Sequence, residues 1–243
     1  MKTEGLKDLW KLAFGDSDEV IEAFFRTAFA PERCRYLEIG GQTATALYWF
    51  DTQWTGQKFA YLYAVATHPD FRGQGLCRRL MEETHAILTE QGYDGALLMP
   101  AEAGLRQMYA KMGYRDCTAV SEITCKAGTP VSVRPVEIAE YAQLRRKYLP
   151  KGGVIQEGVN LDYLATFAKV YAGEDFVLAA VSDGRQLHGV ELLGNRDAAP
   201  GILAALGYPE GTFRTPGEDI AFAMFRLLKT AAAAPGYFGL AFD

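Results

Sequence analysis

The chain has 243 residues, of which 49% are hydrophobic and 23% are charged. This balance is typical of a globular protein and excludes a largely disordered one, and at roughly 150 residues per domain we expect one or two domains. The formal net charge is -5, whereas nucleic-acid-binding proteins usually carry a strongly basic surface. We therefore expect no nucleic-acid partner.

The four cysteines all lie between residues 34 and 125, and no two of them have the CxxC spacing. That pattern is neither a zinc signature nor a dense disulfide framework, so we expect no metal and reduced thiols, as in cytosolic proteins. The N-terminus lacks the apolar core of a signal peptide, and no apolar run approaches the ~18 residues of a membrane span. The sequence thus predicts a cytoplasmic protein with no membrane partner, and it leaves the oligomeric state open.

Apolar residues at helical spacing predict two helices at the start of the chain, over residues 6–14 and from about 18 to 28. Two short strands should follow, over 35–39 and 43–50, joined at Gly40 and Gly41. We then expect a buried strand over 59–66, a helix from about 76 to 89 and a strand over 96–99. A helix over 104–112 and a strand near 118–125 complete this half.

The segment 126–130 contains Gly128 and Pro130 and predicts a boundary, which gives an N-terminal domain of residues 1–128 and a C-terminal domain of residues 129–243. Beyond it we predict a strand over 131–133, helices over 138–149 and 161–171, and a hairpin of 176–181 and 186–193 turned at Asp183 and Gly184. A short helix over 201–206 and strands over 220–228 and 237–242 follow. Helix, helix and hairpin thus occur in both halves, which suggests that the second half is a diverged copy of the first.

Residues 65–77 carry the clearest functional signal. A buried strand leads into a turn that contains Gly73 and Gly75, and a helix begins immediately afterwards. Glycine lets a ligand approach the backbone closely, and a helix N-terminus offers unpaired N–H groups and the positive end of the helix dipole. Such a turn can bind a phosphate, with added charge from Arg72, Arg78 and Arg79. The same spacing also fits a tight turn without a ligand.

Other phosphate-binding loops fit less well. The chain has no GxxxxGK[ST], which excludes a P-loop NTPase, and Arg78 stands where a Rossmann fingerprint needs its third glycine. A nucleotide-binding protein of another fold is therefore disfavoured.

Residues 72–77, which read Arg-Gly-Gln-Gly-Leu-Cys, resemble the pyrophosphate-binding Q/R-x-x-G-x-G/A motif of the GNAT acetyltransferases. The proline-containing turn before them, over residues 66–71, is also similar to these enzymes. Met108 to Tyr114 resemble the family's second signature, Y-x-x-x-G-F/Y. The resemblance covers about half of the chain. It implies an α/β GNAT fold, a mixed and mostly antiparallel central sheet flanked by helices, with a second, smaller α/β region that resembles a degenerate GNAT half.

The resemblance implies an N-acetyltransferase that moves an acetyl group from acetyl-CoA to a primary amine of a small molecule or peptide, by direct attack in a ternary complex. Backbone groups of Val65 and Thr67 would pair with the pantetheine arm. Tyr109 would donate a proton to the departing thiolate; otherwise it is a core tyrosine. The pyrophosphate would be held by backbone N–H groups of Arg72, Gly73, Gln74, Gly75, Leu76 and Cys77.

The chain departs from the family pattern in several places. Cys77 replaces the usual glycine or alanine and could be either a small filler or a reactive thiol. The strand over 59–66 carries no carboxylate to act as a base, which leaves Glu102, His68 or a water held by Tyr61 and Tyr63. A non-catalytic acyl-CoA-binding regulatory module is therefore the alternative function.

The second half shows neither signature. Its nearest echo is the segment from Leu203 to Tyr208, which has Leu203 where Tyr109 would stand. We expect this half to shape the substrate pocket or to complete the sheet without binding CoA. Arg145, Arg146 and Lys147 are predicted to form a solvated helix face.

Overall fold

The computed structural model describes residues 3–229 and 234–242, and it has all the elements predicted for the first half. None of the helices in these two ranges has the length and apolarity needed to cross a bilayer. The first half contains α1 (Glu4–Phe14), α2 (Asp18–Thr27), β1 (Cys34–Ile39), β2 (Gln42–Trp54), β3 (Gln57–Thr67), α3 (Leu76–Glu90), β4 (Gly95–Leu98), α4 (Ala103–Ala110), β5 (Arg115–Asp116) and β6 (Ala119–Lys126).

The second half keeps the predicted hairpin and three predicted helices, with one of these helices shortened. It contains β7 (Arg134–Pro135), α5 (Ile138–Tyr148), α6 (Val159–Leu164), β8 (Lys169–Ala172), β9 (Phe176–Ser182), β10 (Leu187–Gly194), α7 (Ala199–Leu206), β11 (Glu210–Pro216), β12 (Ile220–Ala221) and β13 (Met224–Leu227).

Several predicted elements of the second half are wrong. The helix predicted over 161–171 ends at Leu164, because the following residues pair with β9 as strand β8. Residues 131–133 and 237–242 are not strands; the latter segment is held by single bonds such as that from the amide of Val154 to the carbonyl of Tyr237. Strand β11 was not predicted, although its buried residues alternate as in a half-buried strand.

The strands form two sheets, and each half of the chain contributes strands to both. The first sheet has the order β1-β2-β3-β4-β13-β5, and the second has the order β12-β6-β11-β10-β9-β8-β7. Strand β6 pairs antiparallel with β11, and β13 pairs antiparallel with β4. The strand predicted over 220–228 is therefore two strands in different sheets. Hydrogen bonds of both sheets cross the boundary that the sequence placed at residue 128.

The two sheets repeat one arrangement. In the first, β3 and β4 are parallel and joined through α3; in the second, β10 and β11 are parallel and joined through α7. The two halves exchange one strand each: β13 from the second half lies next to β4 in the first sheet, and β6 from the first half lies next to β11 in the second sheet. Helix α7 thus corresponds to α3, and the comparison of Leu203 with Tyr109 was wrong. Within the described residues no helix follows β11 as α4 follows β4, so the second half is a degenerate copy.

The halves share an apolar core, and a buried ion pair lies within it. Arg145 on α5 donates from Nε and Nη2 to the carboxylate of Glu191 on β10, at 2.6 and 3.0 Å, and the hydroxyl of Tyr237 donates to the same carboxylate at 3.1 Å. Arg145 lies four residues after the buried Tyr141 and so shares the inner face of α5. The prediction of a solvated position holds for Arg146 and Lys147 but is wrong for Arg145.

The buried pair predicts that replacing Glu191 by alanine lowers the free energy of unfolding far more than replacing the exposed Glu157. Glu191→Ala would leave a charged guanidinium buried without its partner, a loss of about 3–5 kcal/mol. Glu157→Ala removes the partner of the exposed Arg146 and should cost less than about 1 kcal/mol. Urea titrations of the two variants measure both free energies of unfolding, and equal losses would contradict a structural role for the buried pair.

Candidate functional site

The first sheet opens between β3 and β4. These parallel strands pair over three positions, from Phe59 with Gly95 to Tyr61 with Leu97. Past Tyr61, no described strand pairs with β3 on this side. Ala64 has a φ of 48°, and the register of β3 with β2 shifts at the same place, which marks a β-bulge. Residues 63–65 are half-buried, and beyond Tyr61 β3 has no strand partner on this side among the described residues, so an extended ligand could bind its backbone there.

The glycine turn lies at the end of β3 and has the geometry that a phosphate site requires. Gly73 and Gly75 have φ values of 75° and 76°, in the left-handed region, and a Cβ at either would meet nothing within 4 Å. No side chain caps α3 at Gly75. Within the described part of the chain, no hydrogen bond engages the amides of residues 73–78. These amides therefore face open space beside the N-terminus of α3, where the dipole favours an anion.

The three arginines around this turn differ in their contacts. Arg72 donates from Nε to the carbonyl of Thr67 at 3.2 Å, so this carbonyl already has a partner. Arg79 pairs with Glu83 at 2.7 Å. Arg78 is exposed and has no ion pair with any residue between 3 and 229 or 234 and 242. Arg78 is thus the most available of the three for an anionic ligand.

Tyr109 is buried on α4, on the face of the sheet that packs against α3. Its side chain is 5% exposed and lies in an apolar cluster with Leu62, Val65 and Cys77. No described residue accepts or donates a hydrogen bond at its hydroxyl. Burial raises the pKa of Tyr109 above its ordinary value, and the nearby Cys77 adds to the shift. The hydroxyl therefore stays protonated and can donate a hydrogen bond to an anion.

The other sequence candidates receive less support. Burial raises the pKa of the Cys77 thiol, with a smaller opposing effect from Thr67, so the helix start does not activate it as a nucleophile. Glu102 is exposed at the start of α4. His68 accepts a hydrogen bond from the Asp70 amide at 3.2 Å and so stabilises the turn after β3.

A polar group on the opposite face of the gap was missed by sequence analysis. The indole Nε1 of Trp10 donates to Asp16 at 2.7 Å, and the hydroxyls of Tyr63 and Tyr163 lie 3.2 Å apart. The rings of Trp10 and Tyr63 are 5.5 Å apart. These residues come from α1, its following loop, β3 and α6. Tyr63 lies on a predicted strand, whereas nothing in the sequence indicates that Tyr163 returns to β3.

Strand β13 brings a second unpredicted group to the α4 side. Arg226 donates from Nη1 to the carbonyl of Met112 at 2.7 Å, and the same nitrogen lies 3.0 Å from His85 Nδ1. His85 Nε2 lies 2.7 Å from the hydroxyl of Tyr114. Because a guanidinium only donates, His85 accepts at Nδ1 and must donate from Nε2. Burial, together with the charge of Arg226, lowers the pKa of His85 to about 3, so the ring is neutral.

Comparisons with known proteins agree with this architecture. A family model described as an acetyltransferase (GNAT) domain matches residues 2–117. A GCN5-related N-acetyltransferase from Kribbella flavida is 17% identical, with a TM-score of 0.72 over 93% of this chain and 68% of that one. Its counterpart from Anabaena variabilis is 16% identical, with a TM-score of 0.72 over 93% and 70% of the chains.

A tandem GNAT protein from the clavulanic acid biosynthesis pathway also resembles this chain. It is 12% identical, with a TM-score of 0.56 over 95% of this chain and 96% of that one. No curated protein sequence matches the chain. The N-terminal half is therefore a GNAT acetyltransferase domain, as its two motifs indicated, and nearly the whole chain has the GNAT fold. The acetyltransferase family is thus assigned to residues 2–117.

If the glycine turn binds a pyrophosphate, a carboxylate placed there should oppose binding. Gly75→Asn and Gly75→Asp introduce side chains of equal size, and both residues tolerate the left-handed conformation. We expect the aspartate variant to bind CoA at least about tenfold more weakly than the asparagine variant, since like charges repel. Calorimetric titration with CoA compares them, and equal dissociation constants would place the pyrophosphate elsewhere.

Proposed function

We propose that this protein is an acetyl-CoA-dependent N-acetyltransferase that acts on a primary amine in the cytoplasm. The observation that carries the proposal is the row of free amides at residues 73–78, which adjoins the gap between β3 and β4. A pyrophosphate on the amides and an extended pantetheine arm along the gap fit this arrangement. Arg72, Gly73, Gln74, Gly75, Leu76 and Cys77 would hold the pyrophosphate.

The pantetheine arm would bind β3 as an added strand does. Its amides would hydrogen-bond backbone groups of Val65 and Thr67 that face the gap. The carbonyl of Thr67 already accepts a hydrogen bond from Arg72, so the backbone N–H of Thr67 would be the group that binds the arm. The bulge at Ala64 then lies near the end of the arm, and the thioester would reach the sheet where β3 and β4 part.

The reaction would follow from this position of the thioester. The neutral amine attacks the thioester carbonyl, the carbon–sulfur bond breaks, the attacking nitrogen loses a proton to solvent, and CoA leaves as a thiolate that takes up a proton. Tyr109 lies on the α3 side of the gap and is protonated, so it would donate that proton or a hydrogen bond to the sulfur. Holding both reactants in one site supplies much of the rate acceleration.

The role of Tyr109 gives a direct test. Tyr109→Phe removes only the hydroxyl, and loss of a general acid lowers turnover by about 10²–10⁴-fold. Binding of CoA should stay within about twofold, because binding depends on backbone amides rather than on this side chain. Free thiol released from acetyl-CoA with an amine panel measures turnover, and calorimetry measures binding.

Tyr208→Phe, in the second half, is the matched control and should leave turnover unchanged. Equal turnover of Tyr109→Phe and the unmodified protein would remove Tyr109 as the acid. Tight CoA binding without thiol release for any amine would instead identify a non-catalytic acyl-CoA-binding module.

A further inference from the structure

The polar group of Trp10, Asp16, Tyr63 and Tyr163, here named the Asp16 cluster, lies across the sheet from Tyr109. Tyr63 belongs to the apolar cluster that contains α1 and α2, whereas Tyr109 belongs to the cluster that contains α3. The gap after Tyr61 separates these two faces. A thioester that enters from the α3 side would therefore meet an acceptor that enters from the Asp16 cluster.

The chemistry of the Asp16 cluster suits a cation. Asp16 is half-buried, and one carboxylate oxygen accepts from Trp10. No described residue forms an ion pair with it, since Lys11 pairs with Asp18. Burial is the main cause that raises the pKa of the Tyr63 and Tyr163 hydroxyls, and the negative charge of Asp16 adds a smaller contribution to both.

Further aromatic rings adjoin Trp10 and Tyr163. Besides Trp10 and Tyr63, the exposed Phe14 lies 6.0 Å from Trp10, and the exposed Phe167 lies 5.4 Å from Tyr163, between ring centroids. Ring faces attract an ammonium group, and the phenylalanines offer apolar surface to the body that carries it. A molecule with a carboxylate beside its amine would place that charge close to Asp16, which costs several kcal/mol for like charges.

We propose that the Asp16 cluster is the acceptor subsite and that it selects a primary ammonium on an apolar or aromatic body, against amines that bear a neighbouring carboxylate. This inference rests on the proposed function for the position of the thioester, and it adds the chemical class of the acceptor.

Three related amines test the selection. 2-Phenylethylamine and phenylalanine amide both carry a benzyl group and a primary amine, and phenylalanine adds a carboxylate. We expect thiol release with the first two and a kcat/KM at least about a hundredfold lower for phenylalanine. Comparable values for phenylalanine and its amide would overturn the proposal.

The second arm measures binding without turnover. Trimethyl(2-phenylethyl)ammonium cannot be acetylated, so calorimetry in saturating CoA reports the subsite alone. Asp16→Asn should weaken its binding by about tenfold or more, whereas Asp18→Asn, on the neighbouring exposed carboxylate, should not. Equal binding by both variants would refute the subsite. Asp16-dependent binding without any thiol release would support it while refuting the enzymatic function.

A separate observation concerns the exchanged strand β13. The turn that follows Tyr109 at the end of α4 is held to it by two hydrogen bonds. The amides of Met112 and Tyr114 both donate to the carbonyl of Tyr109, at 2.9 and 3.2 Å. Arg226 binds the carbonyl of Met112 directly and reaches Tyr114 through His85. The second half of the chain thus holds the turn that places Tyr109.

We infer that Arg226 is a positioning residue for Tyr109. This positioning gives the second half of the chain a function that the proposed reaction does not itself require. Arg226→Met keeps an unbranched side chain but removes the guanidinium and with it both hydrogen bonds. We expect kcat to fall about ten- to hundredfold, with the KM for acetyl-CoA within about twofold and partial recovery in Arg226→Lys. Tyr114→Phe, which removes a single hydroxyl at the far end of the network, should lower kcat in the same direction.

A double-mutant cycle separates positioning from a general structural role. If Arg226 acts through Tyr109, Arg226→Met should have little further effect on kcat in a Tyr109→Phe background. Circular dichroism verifies that each variant is folded at the assay temperature. If Arg226→Met does not fold, the cycle is made with Tyr114→Phe. Additive losses would overturn the inference, as would an Arg226→Met protein with unchanged kcat.

Discussion

The parting of β3 from β4 is the constraint on which the rest of the first sheet depends. Strands within a sheet satisfy each other's backbone groups, and leaving such groups unpaired in a buried position is costly. Here the pairing stops after Tyr61 and Leu97, and the bulge at Ala64 turns β3 away. The free amides of residues 73–78 adjoin this gap. Unsatisfied backbone groups are thus concentrated in one place, which is what an extended, phosphate-bearing ligand can satisfy.

The reciprocal exchange of β6 and β13 gives the second half a role despite its lack of ligand-binding motifs. If the second half packed against the first only through side chains, the two halves could separate without breaking either sheet. Strand exchange instead makes each sheet depend on the other half of the chain for its hydrogen bonds. The buried pair of Arg145 and Glu191 adds a polar contact that must form completely or cost stability. The two halves are therefore expected to unfold together.

The exchange also distributes the candidate site over the whole chain. Tyr109 and the glycine turn belong to the first half, whereas Tyr163 comes from α6 and Arg226 from β13. On one face of the first sheet the second half contributes Tyr163 to the Asp16 cluster. On the other face it fixes the turn after α4. Among the residues that the structure describes, no helix like α4 follows β11, so the second copy keeps the packing of the sheet but lacks the element that carries Tyr109.

The sequence by itself determined the local parts of this protein. Residues 72–77 and 109–114 are read directly because a phosphate-binding turn needs glycines at a fixed spacing and a helix immediately after them. The helices and strands of the first half follow from hydrophobic periodicity for the same local reason. Only the tertiary structure decided that Arg145 is buried, that residues 220–227 divide between two sheets, and that Asp16 and Arg226 lie on opposite faces of the site. Each of these depends on contacts between residues far apart in the chain, and such contacts leave no periodic signal in the sequence.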